Sequence, residues 1–212
     1  MTTAYEIKVD EAEVQDVVSM FEFLGGNTSD AIRIAINKTA PKVRTAASSA
    51  IRGQVRLQAS YVGERLKVRK ATRSRLNGAI SSPSRGLLLS RFSTDATIAS
   101  DKVGWIKPPL VPKRGIMVKV KPNGGAKLVR GDNDTAGNKP FYIILNGGKN
   151  VGIAARLSGS KKIKVFSGPS VSQVFDTVRD DVLPGAGAEY QAQLLDAMRY
   201  LLVKKHPPEA TL

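Results

Sequence analysis

The feature that most constrains the fold is a change of hydrophobic period along the chain. From Asp30 to about Ala59, small and apolar residues recur with helical spacing, and helical spacing returns from Val171 onward. Between these regions, short β-branched or apolar segments alternate with turn clusters rich in Gly, Pro and Asn. The order predicts an α+β fold: N-terminal helices including a long Ala-rich helix, a central antiparallel β-sheet with long loops, and two C-terminal helices.

We expect a single domain that spans residues 1–212, with five regions in sequence order. They are an acidic N-terminal helical extension (1–26), a basic helical region (28–75), a β-rich region (76–167), C-terminal helices (170–203) and a tail (204–212). The β-rich region is predicted to contain strands near 76–82, 87–92, 116–121, 126–130, 141–145, 151–157 and 162–166.

Proline and glycine mark the expected interruptions of the helices. Pro41 lies inside the long Ala-rich run and is expected to kink it or to split it in two. The sequence "PGAG" (184–187) is expected to separate the two C-terminal helices. In "SGPS" (167–170), Gly168 turns the chain out of a strand, Ser167 or Ser170 caps the next helix, and Pro169 occupies its first turn.

Charge is distributed unevenly along the chain, which carries a net charge of +15. Residues 1–30 have a net charge of −6 and residues 170–212 one of −2, whereas residues 31–80 and 81–169 have +11 and +12. Such segregation indicates binding to a polyanion or complementary contacts between chains.

The composition excludes several kinds of chemistry. There is no cysteine, and the one histidine, His206, lies between charged and proline residues of the tail, so zinc, haem and Cys–His nucleophile sites are not expected. Asp176 and Asp180 share a helix face opposite an apolar stripe, which favours a solvated face over a metal-binding pair or a hydrolase site. Asp132 and Asp134 lie in a Gly/Asn-rich loop and favour turn chemistry over a weak cation site. We therefore predict no enzyme, no catalytic residue, no cofactor, no metal and no small-molecule substrate.

Membrane insertion is not expected either. No apolar run approaches the roughly 18 residues needed to span a bilayer, and the acidic start of the chain has no apolar signal region. We expect a soluble protein.

The segment 61–75, "YVGERLKVRKATRSR", is the one with possible binding chemistry. It is predicted to form a short helix followed by a basic extended segment. Three interpretations stay open: a charged protein–protein contact, phosphate binding to a nucleic acid, and a solvated face. Only Tyr61 is available nearby for stacking on bases. The candidate residues are Arg65, Lys67, Arg69, Lys70, Arg73 and Arg75.

Three stretches of the chain carry a recognisable pattern: "AIRIAINKTAPKVRTAASSAIR", "ERLKVRKAT" and "KPFYIILNGGKNVGIAARLSGSKKIKVFSGPSV". They resemble the phage minor tail protein Z family, also called tail completion proteins. The resemblance covers roughly residues 28–182, and the acidic residues 1–26 lie outside it. The matching positions are Ala35, Ile36, Asn37, Lys38 and Ala40 in the first stretch, Leu66, Lys67, Arg69, Lys70, Ala71 and Thr72 in the second, and Gly168, Pro169, Ser170 and Val171 in the third.

The resemblance implies a structural protein of the virion at the head-proximal end of the tail, assembled in the host cytoplasm. Such a protein completes the tail or neck so that the head joins and DNA passes, in contact with other phage neck and tail proteins. Tail symmetry implies a ring of about six copies.

The charge map suggests how such a ring closes. We expect an acidic patch at Glu11, Glu13 and Asp16, or the acidic C-terminal helices, to contact the basic region 31–80 of a neighbouring copy. We also expect members of the basic segment to face either an acidic neck partner or genomic DNA in the channel. The rival interpretation is a sequence-nonspecific nucleic-acid-binding protein that uses residues 31–80.

Overall fold

The structure is a computed structural model that describes residues 3–7, 28–95, 98, 111–131, 133–135, 137–147 and 150–205, with only the backbone described for 3–7, 202 and 205. The helices are α1 (Thr28–Gln54), α2 (Ala59–Arg65) and α3 (Val171–Lys205). The strands are β1 (Thr3–Ile7), β2 (Lys67–Arg69), β3 (Gly78–Ser82), β4 (Leu87–Leu88), β5 (Met117–Val118), β6 (Lys127–Leu128), β7 (Phe141–Leu145), β8 (Asn150–Arg156), β9 (Ile163–Val165) and β10 (Ser167–Gly168). Two 3₁₀ turns lie at Leu89–Phe92 and Asn133–Thr135.

The chain forms two compact units, each built from segments that are distant in sequence. Unit one comprises Met1–Ala50, Val62–Pro83 and Phe175–Leu212, and unit two comprises Ile51–Tyr61 and Ser84–Val174. The α+β class is confirmed, and every pairing between the named strands is antiparallel. The single domain that we expected stays a prediction.

Unit one has a core of small and apolar side chains between its helices. Small residues on α1 leave room for the apolar face of α3 to pack closely, as the helical period of both segments predicted. A three-stranded sheet in the order β1-β3-β2 completes the unit. The core cluster consists of Ala31, Ile32, Ala35, Ile36, Ala71, Leu194, Ala197 and Met198.

The N-terminal region begins with a strand, which corrects the expectation of a helical extension over residues 1–26. Thr3–Ile7 pairs with β3 in the register Thr3↔Ser82 to Ile7↔Gly78. The strand was missed because its pairing partner lies far away in sequence, so that no local turn signal announces it. The rest of the predicted helical extension, residues 1–2 and 8–26, lies outside the described residues.

Two expected divisions of helices are not present, although a kink at Pro41 stays a prediction. α1 runs through Pro41 without being split, and one helix, α3, replaces the two predicted C-terminal helices because it continues through Pro184. Both prolines are exposed, as is Asp180, whose carbonyl loses its helical partner at Pro184. Water can hydrogen-bond to such a carbonyl, so the cost of the missing N–H is reduced at an exposed position.

Unit two contains several small sheets where one central sheet was expected. The described strands form a three-stranded sheet, β7-β8-β9, and two-stranded pairs β4-β10 and β5-β6. The strands are short because closely spaced turn clusters interrupt them, so each pairing ends before a continuous sheet can form. The core of this unit is formed around the fully buried Phe92, Ile116, Val151 and Ile153.

The strand-to-helix junction at 167–170 is confirmed, although Gly168, which was expected to turn the chain out of a strand, lies within β10. Ser170 Oγ accepts the N–H of Gln173 at 3.0 Å, and Gln173 Oε1 accepts the N–H of Ser170 at 2.9 Å. This reciprocal pair is a capping box, so Ser170 is the N-cap of α3. Pro169 therefore precedes the cap and does not lie in the first helical turn.

Among the described residues, none of the helices combines the length and apolar content needed to cross a membrane.

Candidate interaction surface on a basic hairpin

The predicted basic segment folds as a β-hairpin in unit one. β2 and β3 pair from Lys67↔Ser81 to Arg69↔Ala79, and residues 70–77 connect them. Within the connection, the N–H of Thr72 donates to the carbonyl of Arg75 at 2.9 Å, and the reverse bond measures 3.2 Å. We call residues 65–82 the basic hairpin.

All six basic residues singled out from the sequence lie on the basic hairpin. Arg65 is half-buried at the end of α2, where it interacts with other groups of the chain. Lys67 and Arg69 alternate with the half-buried Val68, so both point to the same side of the edge strand β2. Within the described part of the chain, four of the exposed cations have no carboxylate partner: Lys67, Arg69, Lys70 and Arg75.

Asn37 holds the hairpin connection against α1. Its amide Nδ2 donates to the carbonyl of Ala71 at 3.0 Å, and its Oδ1 accepts the N–H of Ala71 at 2.8 Å. Both backbone groups of one peptide residue are thus satisfied by one side chain, 34 residues away in sequence. Ala71 itself is only 4% exposed and belongs to the core cluster, so the basic hairpin is fixed at its middle.

Asp30, in the first turn of α1, fixes the tip of the connection. Its Oδ1 lies 3.3 Å from Arg73 Nε and 3.0 Å from Arg33 Nη2, and its Oδ2 accepts a hydrogen bond from Arg73 Nη2 at 3.3 Å. These hydrogen bonds, first from Arg73 and then from Arg33, hold the pKa of Asp30 below its usual value. A carboxylate is also favoured at a helix N-terminus. The Arg73 side chain nevertheless stays 81% exposed, so it remains accessible to a partner.

Close packing fixes the return strand of the hairpin. A Cβ placed on Gly78 would lie 2.7 Å from Cγ2 of Ile36, so β3 approaches α1 more closely than a larger residue permits. Val62 and Leu66, on either side of Arg65, are also buried. The cations therefore project from a scaffold whose backbone is held by packing and by directed hydrogen bonds.

Among the described residues, none of the other candidates from the sequence forms an ion pair with the basic hairpin. Glu11, Glu13, Asp16, Asp132 and His206 lie outside the described residues. Asp176 and Asp180 are exposed on α3, and Asp180 Oδ1 lies 3.0 Å from Arg179 Nε. Asp134 forms an ion pair with Lys164 in unit two. In the described part of the chain, no group of three or more His, Cys, Asp or Glu residues is arranged to hold a metal ion.

Asn37 and Asp30 were not identified as site residues from the sequence. Asn is disfavoured in the middle of a helix because its side chain competes for backbone groups, so Asn37 carried a detectable signal. Its partner carried none, because nothing local to Ala71 indicates a long-range contact. The capping box also had a sequence signal, Ser followed three residues later by Gln, that was available at 170–173.

Exposed cations on a fixed hairpin suit binding to an anionic surface, since little conformational freedom is lost on contact. Comparison with known proteins supports a structural role. The family model of the prophage minor tail protein Z matches residues 27–205, which extends the resemblance noted in the sequence to the end of α3. No curated protein and no solved structure gave a significant match. The chain belongs to the prophage minor tail protein Z family and is a structural protein of a phage tail.

Proposed function

We propose that this protein is a tail completion component of the neck, forming a ring at the head-proximal end of the tail. In this role it supports the joining of head and tail and the passage of DNA, without catalysis. It acts in the virion after assembly in the host cytoplasm. Its partners are further copies of itself and other neck and tail proteins.

The observation that carries the proposal is the basic hairpin. A tail protein needs fixed contact surfaces, and the hairpin presents exposed cations whose backbone is anchored by Asn37 and Asp30. Since Lys67, Arg69, Lys70 and Arg75 lack carboxylate partners within the described part of the chain, an acidic surface on another chain would complement them.

Ring closure follows from a head-to-tail contact between copies. The acidic patch at Glu11, Glu13 and Asp16 supplies the complementary charge for the basic hairpin of the next copy. A contact between two different patches generates a ring when its rotation closes, and tail symmetry sets the number at about six copies.

The test is charge reversal with a matched control. The variant Lys67→Glu/Arg69→Glu/Lys70→Glu reverses three exposed cations of the hairpin, whereas Lys121→Glu/Lys127→Glu/Arg130→Glu makes the same change on exposed positions of unit two. Light scattering measures oligomer mass. Complementation of a phage that lacks this protein, followed by electron microscopy, measures the fraction of tails joined to heads.

We expect the hairpin variant to lose the oligomer and to leave heads and tails unjoined. The control is expected to form the oligomer and to join heads to tails. The variant Glu11→Lys/Glu13→Lys/Asp16→Lys is expected to fail alone and to recover the oligomer when mixed with the hairpin variant, because the reversed charges attract again. Normal assembly by the hairpin variant contradicts the proposal. If that variant assembles but no longer binds duplex DNA, the nucleic-acid-binding interpretation replaces it.

A further inference from the structure

Unit two carries a second basic hairpin, formed by β8, β9 and the turn between them. The strands pair from Ala154↔Val165 to Arg156↔Ile163, and the N–H of Leu157 donates to the carbonyl of Lys162 at 3.0 Å. Gly159, at the tip, has φ of 62° and open space around the position of a Cβ. The tip sequence "SGS" is therefore slim and sterically accessible. We call residues 150–165 the second basic hairpin.

A neighbouring segment is fastened to this hairpin by three polar contacts. Asn138 Nδ2 donates to the carbonyl of Arg156 at 3.0 Å, and the N–H of Ser158 donates to the carbonyl of Asp134 at 2.9 Å. Lys164 and Asp134 form an ion pair. Because the Asn138 side chain bonds to the carbonyl of Arg156, the chain at the adjacent, exposed Lys139 passes close to this hairpin.

The result is a concentration of cations with little internal neutralisation. The one described carboxylate at this surface, Asp134, is already engaged by Lys164. Within the described residues, no ion pair involves the four exposed cations Lys139, Arg156, Lys161 and Lys162. Like charges held close together raise the local positive potential, and an anionic ligand lowers their mutual repulsion.

The chemistry around the tip favours phosphate over an acidic protein. Protein–protein contacts usually centre on aromatic or large apolar side chains, whereas residues 158–162 contain only Ser, Gly and Lys. The side chains that contact nucleic-acid phosphates include lysine, arginine and serine, the last through its hydroxyl group. The absence of aromatic residues from 156–162 also removes the stacking platforms that single strands need, which favours a duplex.

We propose that the second basic hairpin binds the phosphate backbone of duplex DNA without sequence preference, through Arg156, Lys161 and Lys162 assisted by Lys139. This goes beyond the role proposed for the first hairpin and does not depend on it, because it involves other residues and another unit. Phosphate contacts of this kind make affinity depend steeply on salt.

The experiment measures binding of the full chain to a fluorescein-labelled 30-base-pair duplex by anisotropy, over a series of salt concentrations. The variant is Arg156→Gln/Lys161→Gln/Lys162→Gln. Lys113→Gln/Arg114→Gln/Lys121→Gln is the matched control, since it removes three exposed cations elsewhere in unit two. We expect the variant to lower the log–log salt slope by about 2 to 3 and affinity by roughly tenfold or more. The control is expected to change affinity by less than about threefold, because it alters only the long-range potential.

Two additional arms make the outcome decisive. The charge-preserving variant Lys161→Arg/Lys162→Arg is expected to bind as the unchanged protein does, and poly-glutamate is expected to compete poorly with the duplex. Equal loss in variant and control overturns the proposal, because binding then reports total charge. Equal competition by poly-glutamate overturns the assignment to DNA and indicates an acidic protein partner. Thermal melting shows that the variants are folded, and head–tail joining, which tests the function proposed above, is scored separately.

Discussion

The double hydrogen bond from Asn37 to Ala71 can be tested through stability. In Asn37→Ala, the N–H and carbonyl of a residue that is 4% exposed lose their partners together. Each unsatisfied buried group costs about 1–3 kcal/mol. Alanine recovers roughly 0.5–0.7 kcal/mol through its better helix propensity. For two such groups, we therefore expect the free energy of unfolding to fall by about 1.5–5 kcal/mol, or the melting temperature by roughly 3–20 °C for a chain of this size.

Urea denaturation gives the global effect, and hydrogen exchange reports the local one. The amide proton of Ala71 should exchange at least about tenfold faster, because its acceptor is gone. Lys38→Ala is the matched control: it changes the adjacent, exposed position of the same helix and should stay within about 0.5 kcal/mol of the unchanged protein.

The variant Asn37→Asp separates the two hydrogen bonds. It keeps an oxygen that accepts the N–H of Ala71 but, when ionised, places a negative oxygen against the Ala71 carbonyl in place of the donor. It should therefore be at least as unstable as the alanine variant at neutral pH and recover part of its stability in mild acid. If Asn37→Ala unfolds like the Lys38→Ala control, the basic hairpin is not held by this side chain.

Three further predictions concern packing, capping and pH. Gly78→Ala should lower the free energy of unfolding by about 1–3 kcal/mol, because its methyl group overlaps the buried Ile36. Ser170→Ala should cost about 1–2 kcal/mol in the same urea titration through loss of the N-cap of α3. The ion pair with Lys42 lowers the pKa of Glu189 below its usual value of 4.5, and desolvation raises it by less. The pair thus stabilises the fold above pH 4.5 and loses its contribution as the pH falls through the lowered pKa, so Lys42→Met should flatten the melting temperature against pH between 3 and 6.

Each of these variants has a control in the chain. Gly53→Ala, where a Cβ meets nothing within 4 Å, should stabilise α1 by about 0.5–1 kcal/mol. Ser167→Ala removes an exposed serine that caps no helix and should be neutral. Lys38→Met removes an exposed lysine without an ion pair in the described residues and should leave the pH dependence unchanged. Equal effects in a variant and its control would show that the named contact is not responsible.

Local signals predicted the parts of the fold that depend on neighbours in sequence. Most of the short strands of unit two, the helix at 59–65 and the junction at Ser170 appeared close to where turn residues and periodicity placed them. The strand predicted at 87–92 is an exception, since only Leu87–Leu88 is a strand and Leu89–Phe92 is a 3₁₀ turn. The prediction that Pro184 ends the helix was wrong because it assumes that the carbonyl without a helical partner stays unsatisfied. Here that carbonyl belongs to Asp180, which is exposed, so water can hydrogen-bond to it. β1 depended on a partner more than seventy residues away and had no local signature.

The candidate surface also has a part that the sequence predicts and a part that it does not. The six cations could be identified from the sequence because charged residues are visible there. The structure shows that five of them are exposed. What holds them could not, since the contacts of Asn37 with Ala71 and of Asp30 with Arg73 join α1 to a hairpin about 40 residues later. Long-range pairings of this kind arise from tertiary packing, which periodicity does not encode.

The interleaved path of the chain sets the order in which the protein can be completed during synthesis. The core cluster that includes Ala71 also requires Leu194 and Met198, which are synthesised more than a hundred residues after Ala71. The last residue of unit two is Val174, so all segments of that unit are synthesised before Leu194 and Met198. We expect a nascent chain that stops at about residue 175 to contain a unit two able to fold, and a basic hairpin that keeps its contacts with α1 but lacks the α3 side chains of its core. The core beneath the first hairpin is then complete only after α3 has been made, so shorter products would present a less stable contact surface.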